Sequence, residues 1–225
     1  MRTVQLAFVT TIVLLAGIGC SQGPGPAAGT TYAVLNDQAD QLRSDFNRKV
    51  GSVRLLFVVD PICPGCLRGL ADMNRDLLKV TSDPGLQTFV VYEPVLGVAR
   101  YVPWLRIAGG QDVPKAGQLL ENPNVHHYWN ASGAFGQLLS RAVGLKNGDR
   151  QVYAWDVWLL YGPDAKWEGS EPPHPLLLMH QLSALHGSAQ FPHLDSALFA
   201  QRVRTMLAQL PSSSSTTTRE LQVSK

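Results

Sequence analysis

Two cysteines, Cys63 and Cys66, enclose Pro64 and Gly65. Thiols at this spacing can do three things. They can exchange disulfides, one thiolate attacking and the other resolving. They can hold a soft metal ion such as copper or mercury. They can also close an inert local disulfide. A structural zinc would need two further ligands, usually a second close pair. The chain has just one more cysteine, Cys20. Residues 53–60, VRLLFVVD, form an apolar run of strand length, rich in Val. Such a run reads as a central strand buried on both faces. Pro61 ends it. Residues 64–80 read as a helix with Leu67, Leu70, Leu77 and Leu78 inward. Pro64 suits the first helical position, so Cys63 falls at the N-cap and Cys66 in the first turn. Free N–H groups and the positive helix end favour a thiolate on Cys63. Asp60, three residues earlier, is either a proton acceptor for the dithiol or a cap on the strand-to-helix loop.

The neighbouring segments supply a frame. Residues 34–47 have helical spacing, with Leu35, Ala39, Leu42 and Phe46 on one side. Asp83-Pro84-Gly85 is turn chemistry, and LQTFVVY over 86–92 is a second buried strand. The intervening crossover is long enough for parallel pairing. Residues 93–130 carry four prolines and read as irregular, with short helices. Residues 134–143 read as a helix ended by Gly144. The aromatic run at 152–161, VYAWDVWLLY, reads as a strand. Gly162-Pro163-Asp164-Ala165 turns it back through Lys166-Trp167 as a hairpin. Residues 176–185 and 194–210 read as helices. Within the strand reading, Trp155 and Trp158 fall on opposite faces as core residues.

Strand, Cys-Pro-Gly-Cys, helix, strand, insertion, helix, hairpin and final helix is an order that resembles the thioredoxin-like proteins. It is most similar to the membrane-tethered periplasmic thiol-disulfide oxidoreductases of bacteria. The resemblance covers about residues 50–210 and is concentrated in 53–80 and 152–167. It implies an α/β fold with a central mixed sheet flanked by helices, and an insertion at about 93–130 between the second strand and the hairpin. It also implies that Cys63 attacks and Cys66 resolves, with protein thiols or disulfides of the periplasm as partners and no cofactor. The chain differs from that pattern at several places. Ile62 stands where a Trp usually precedes the first cysteine. Phe57 stands where an acid is often buried beneath the dithiol. No proline occurs from Asn124 to Gly162, so the proline expected before the hairpin strand is missing.

A second cluster, NVHHYW at 124–129, holds adjacent His126 and His127 between aromatic residues. It reads either as a partly buried loop anchor or as ligands joining Cys63 and Cys66 around a soft metal. The copper-delivery proteins that resemble this fold have three residues between their cysteines, whereas this chain has two.

The N-terminus reads as an export signal. An apolar run at 4–15 is too short to cross a membrane and has the length of a signal core. Ala16-Gly17-Ile18-Gly19 then leads to Cys20. This is similar to a bacterial lipoprotein signal, in which the cysteine is lipidated. The alternatives are an ordinary secretory signal or an uncleaved anchor. Lipidation of Cys20 would leave one anchor and one thiol pair among the three cysteines. The expected organisation is a signal over 1–19, a Gly/Pro tether over 20–31, one domain over 32–211 and a disordered Ser/Thr tail over 212–225. The expected location is the bacterial periplasm, on a membrane. Hydrophobic residues are 45% of the chain, enough for a core without staples. A net charge of +2 without a basic stripe argues against nucleic-acid binding.

Overall fold

The computed structural model describes residues 30–95, 106–120 and 122–211. Cys20, the apolar run at 4–15 and the tail at 212–225 lie outside them. Element order is β1 (Ala33–Val34), α1 (Asp40–Arg48), β2 (Val53–Val59), α2 (Pro64–Met73), β3 (Leu86–Tyr92), α3 (Val113–Gly117), β4 (Val125–Trp129), α4 (Ala134–Val143), β5 (Lys146–Asn147), β6 (Arg150–Gln151), β7 (Val157–Tyr161), β8 (Leu177–His180) and α5 (Ser196–Leu207). α2 continues through a π-helical turn, Asn74–Leu78.

Six strands form one mixed sheet in the order β1-β4-β3-β2-β7-β8. β1, β4, β3 and β2 run parallel, while β7 is antiparallel to β2 and to β8. Every residue of β2 and β3 is buried, as continuous apolar runs in a covered parallel sheet should be. Alternation along β2 splits the core in two. Val53, Leu55, Phe57 and Val59 face one cluster, with Cys63, Cys66, Leu70, Trp158 and Phe199. Leu56 and Val58 face the other, with Leu42, Phe46, Phe135 and Leu139. Thus α2, α3 and α5 cover the dithiol face, and α1 and α4 the opposite one.

One charge sits inside β2. Arg54 is fully buried. Its guanidinium donates to the carbonyls of Phe46 (3.1 Å), Gly162 (2.7 Å), Pro163 (3.0 Å) and Ser52 (3.3 Å) and lies 4.3 Å from the Phe46 ring centre. Those carbonyls come from the last turn of α1, the turn before β2 and the loop after β7, so the buried cation ties these three segments together. Burial lowers its pKa to about 10.

Four expectations are corrected. The first helix begins at Asp40, because Asn36 accepts the Asp40 N–H at 3.1 Å and Ala33–Val34 pairs with β4 instead. The strand expected over 152–161 starts only at Val157. The N–H groups of Val152 and Ala154 go to Leu145 and Gly136 rather than to a strand partner, so Trp155 lies before the strand. The returning strand is β8, where a helix was expected over 176–185. Leu-rich sequence favours helix, but pairing with β7 overrides local propensity. Trp167 is instead a buried loop residue against Phe46 and Phe135. Finally, NVHHYW is not a loop: Val125–Trp129 is the parallel strand β4.

Packing of α2 against β7 is close enough to test. A methyl on Gly69 would strike the Trp158 ring and sit 2.6 Å from Gln181 Oε1, with Trp158 fully buried. Gly69→Ala should cost about 1–3 kcal/mol by overpacking despite its better helix propensity. Gly65→Ala, whose new methyl would meet atoms no nearer than 3.5 Å, should cost much less. Urea unfolding of the two variants checks this contrast.

Candidate active site

The dithiol lies where β2 delivers the chain to α2. Asp60 closes the turn: its carbonyl accepts the Cys63 N–H at 3.2 Å, and its Oδ1 accepts the Ile62 N–H at 2.9 Å. Cys63 is the N-cap, with extended φ −73° and ψ 120°, and Pro64 is the first helical residue. The sequence-selected residues Asp60, Cys63, Pro64 and Cys66 are therefore brought together. Asp60 is itself fully buried.

The two thiols are free and differ sharply. Cys63 is 8% exposed and Cys66 is 0%. The Cys66 thiol donates to the Cys63 sulfur, and the backbone N–H groups of Cys66 and Gly65 also face it. Together they lower the Cys63 pKa to about 6, against burial and the nearby Asp60 charge. Burial pushes Cys66 well above its ordinary value. Donation to Cys63 and the charges of Asp156 and Cys63 act the same way. The Asp60 N–H, 3.5 Å from Cys66 Sγ, offsets this weakly.

Asp156 is the site residue that the sequence reading missed. It occupies the position immediately before β7, just past the 150–155 stretch in which a proline was expected, and no cis peptide occurs among the described residues. Its φ is +51° and it is 4% exposed. A Cβ added at Gly65 would lie 3.5 Å from Asp156 Oδ2, 3.7 Å from Cys63 Sγ and 4.0 Å from Arg68 Nη2, which shows how these groups converge. Burial, and then the Cys63 charge, raise the Asp156 pKa to about 7. One signal was available: an aspartate inside an otherwise aromatic and aliphatic run.

The histidines sit elsewhere. His126 and His127 pair across the sheet with Phe89 and Val90, which pair with Leu56 and Phe57 in mid-strand. The dithiol begins four residues beyond Val59, at about 3.3 Å per extended residue. His126 contacts Gln87 Oε1 at 3.0 Å, and His127 contacts the Tyr92 hydroxyl at 3.1 Å. Burial lowers the pKa of both. They are not brought to the cysteines, and no group of three His, Cys, Asp or Glu suited to a metal occurs among the described residues.

Beside the dithiol opens a cleft of about 440 Å³, lined in part by Ile62, Leu67, Ala71 and Leu119 with Arg68 and Lys115 at hand. It is a mainly apolar seat next to Cys63, the less buried of the two cysteines.

No family model and no curated protein matches the chain. Among solved structures, a secreted Mycobacterium tuberculosis disulfide oxidoreductase homologous to E. coli DsbE is similar at 11% identity, over 70% of this chain and 84% of that one, with a TM-score of 0.39. A thiol:disulfide interchange protein of the thioredoxin family from Chlorobium tepidum TLS is similar at 13% identity, over 71% and 83%, with a TM-score of 0.35. Likeness at this level leaves the chemistry to be read from the site itself.

The asymmetry of the thiols has a direct readout. Iodoacetamide should modify Cys63 first, with a rate that rises through a midpoint near pH 6 as the thiolate forms. Cys66 should stay unmodified until the protein unfolds. Peptide mapping after timed alkylation at several pH values checks both statements, and modification of Cys66 first would reverse the assignment.

Proposed function

We propose that the protein is a thiol-disulfide oxidoreductase working through Cys63 and Cys66 on protein thiols or disulfides in the bacterial periplasm. The observation that carries this reading is the division of labour between the sulfurs. Cys63 keeps a small exposed fraction, at a helix N-terminus, with a depressed pKa; Cys66 is sealed one turn further on. Disulfide exchange needs one thiolate that a partner can reach and one thiol held back until the mixed disulfide exists.

The reaction follows from that order. The Cys63 thiolate attacks a sulfur of the partner disulfide. A Cys63–partner bond forms, the partner S–S bond breaks, and one partner thiolate leaves. Cys66 then loses its proton and attacks Cys63 Sγ. The Cys63–Cys66 disulfide forms, the mixed disulfide breaks, and the second partner sulfur leaves as a thiolate that takes up a proton. Two electrons pass from the dithiol to the partner. The same steps run backwards oxidise a partner dithiol. The apolar cleft beside Ile62 and Leu67 suits a segment of partner chain, while Arg68 and Lys115 favour one carrying acidic residues.

Cys66→Ser should accumulate mixed disulfides through Cys63, visible as reducible adducts on non-reducing gels of cells or of purified protein with a model disulfide. Cys63→Ser should form none and lose exchange. Tight binding of copper(I) or mercury(II) by the reduced protein without disulfide turnover would instead move the reading to a soft-metal carrier using the same two thiols.

The proposed location rests on Cys20 and the apolar run before it. No helix among the described residues is long and apolar enough to cross a membrane. Attachment is proposed through acyl chains on Cys20, since more than one buried chain gives stable anchoring. Cys20→Ala should release the protein from the membrane fraction or block its processing. A variant that still sediments with membranes at mature size would remove the lipid assignment.

A further inference from the structure

Asp156 is built unlike a structural aspartate. A buried carboxylate normally caps a helix, pairs with a cation or accepts several backbone N–H groups, because desolvation is otherwise costly. Asp156 does none of these. Oδ1 is buried and has no hydrogen-bond partner. Its main chain makes the structural contact: the Asp156 carbonyl accepts the Gln181 N–H at 3.0 Å. Its carboxylate instead sits within electrostatic reach of both thiols, Cys63 and Cys66. The residue also holds a left-handed φ of +51°, which a non-glycine adopts infrequently. Fold stability alone gives no reason to place an acid here, and its Oδ2 converges with Cys63 Sγ on the space beside Gly65.

We propose that Asp156 is the proton acceptor of the resolving cysteine: it takes the Cys66 proton as Cys66 attacks the mixed disulfide, and passes it to the departing thiolate. This rests on the oxidoreductase reading and assigns the one proton that reading leaves without a carrier. Balance is simple. The Cys66 S–H bond breaks and an Asp156 O–H bond forms. The Cys66 sulfur pair makes the new S–S bond, the mixed disulfide breaks, and the partner thiolate leaves with the proton from Asp156. The carboxylate ends unprotonated and the dithiol ends oxidised to the disulfide, ready for the reverse run.

The surroundings set when this works. The groups facing Asp156 are Cys63, Cys66 and Arg68 from the α2 side and Trp158 from β7, with the uncharged Gln181 following β8. Burial and the Cys63 charge raise its pKa to about 7, while the Cys66 thiol, Trp158 and Arg68 oppose the rise. An acid raised in this way is a poor acceptor below neutral pH and a good one above it. It is also a far better match to a buried thiol than an ordinary surface aspartate. In the mixed disulfide Cys63 no longer carries charge, so part of the upward push relaxes as resolution begins.

The test separates the two sulfurs' steps. Reduced protein is mixed with dithionitrobenzoate, which first loads Cys63 and releases one thionitrobenzoate. Resolution by Cys66 then releases the second, followed by absorbance. In the wild-type protein the second release should rise with pH through one ionisation, placed above the ordinary aspartate range by burial and below 7 because Cys63 is uncharged in the mixed disulfide. In Asp156→Asn, which accepts the same φ, the first release should still occur. The second should slow about a hundredfold at neutral pH and climb only as Cys66 itself ionises. A wild-type second release that is flat down to pH 5 overturns the proposal without recourse to any variant. An Asp156→Asn protein with wild-type melting and an unchanged second release also overturns it, leaving the oxidoreductase reading intact. Absence of the first release in the wild type would instead remove that reading, and the proposal with it.

Discussion

Everything in this molecule that bears on chemistry depends on one junction, where a strand buried on both faces gives way in four residues to the first turn of a helix. β2 is held by β3 on one side and β7 on the other, so its end cannot wander. Asp60 fixes the turn through both its carbonyl and its carboxylate. Pro64 supplies the φ of the first helical residue and removes a donor that would have no partner. The remaining N–H groups then point at Cys63. A thiolate is thus stabilised by the Cys66 thiol first and then by backbone groups that folding has already placed.

The sheet divides the protein into a working face and a bracing face. On the working side, α2 and α5 pack over Phe57, Trp158 and Leu160, and the cysteines belong to that apolar cluster. On the other, Phe46 joins Tyr161, Phe89 and Trp167 in ring contacts that clamp α1 and the loop after β7. Glu93 anchors α4 from the end of β3. It accepts the Gly136 N–H at 3.1 Å and the Tyr153 hydroxyl at 2.7 Å, and burial raises its pKa to about 7. It is satisfied by this anchoring, in contrast to Asp156, whose carboxylate oxygen is left bare.

The dithiol and its placement were legible in the sequence because the signals there are local. Continuous hydrophobicity marks β2 and β3, and Cys-Pro-Gly-Cys marks the helix start. β8 was not legible: Leu-Leu-Met has helical preference, and only its ladder with β7 makes it a strand. Gly148-Asp149, with Gly148 at φ +59°, is a hairpin signal that went unread, and it joins β5 to β6. His126 and His127 drew attention as a pair, yet strand alternation sends them to different neighbours, Gln87 and Tyr92. Asp156 was hidden for a deeper reason. Its partners are ninety residues away in sequence, and nothing in the local pattern says that a chain returning beside β2 will set a carboxylate against a thiol.

The hydrogen bonds converging on Cys63 also have a thermodynamic side. They favour an anion, and that anion exists only while both sulfurs are reduced. Closing the disulfide leaves the same helix end facing a neutral sulfur, so the fold loses a stabilising interaction that the unfolded chain never had. By linkage, the disulfide is then easier to reduce in the folded protein than in the unfolded chain. The oxidised fold is correspondingly the looser of the two, and the redox state is written into the melting temperature as well as into the sulfurs.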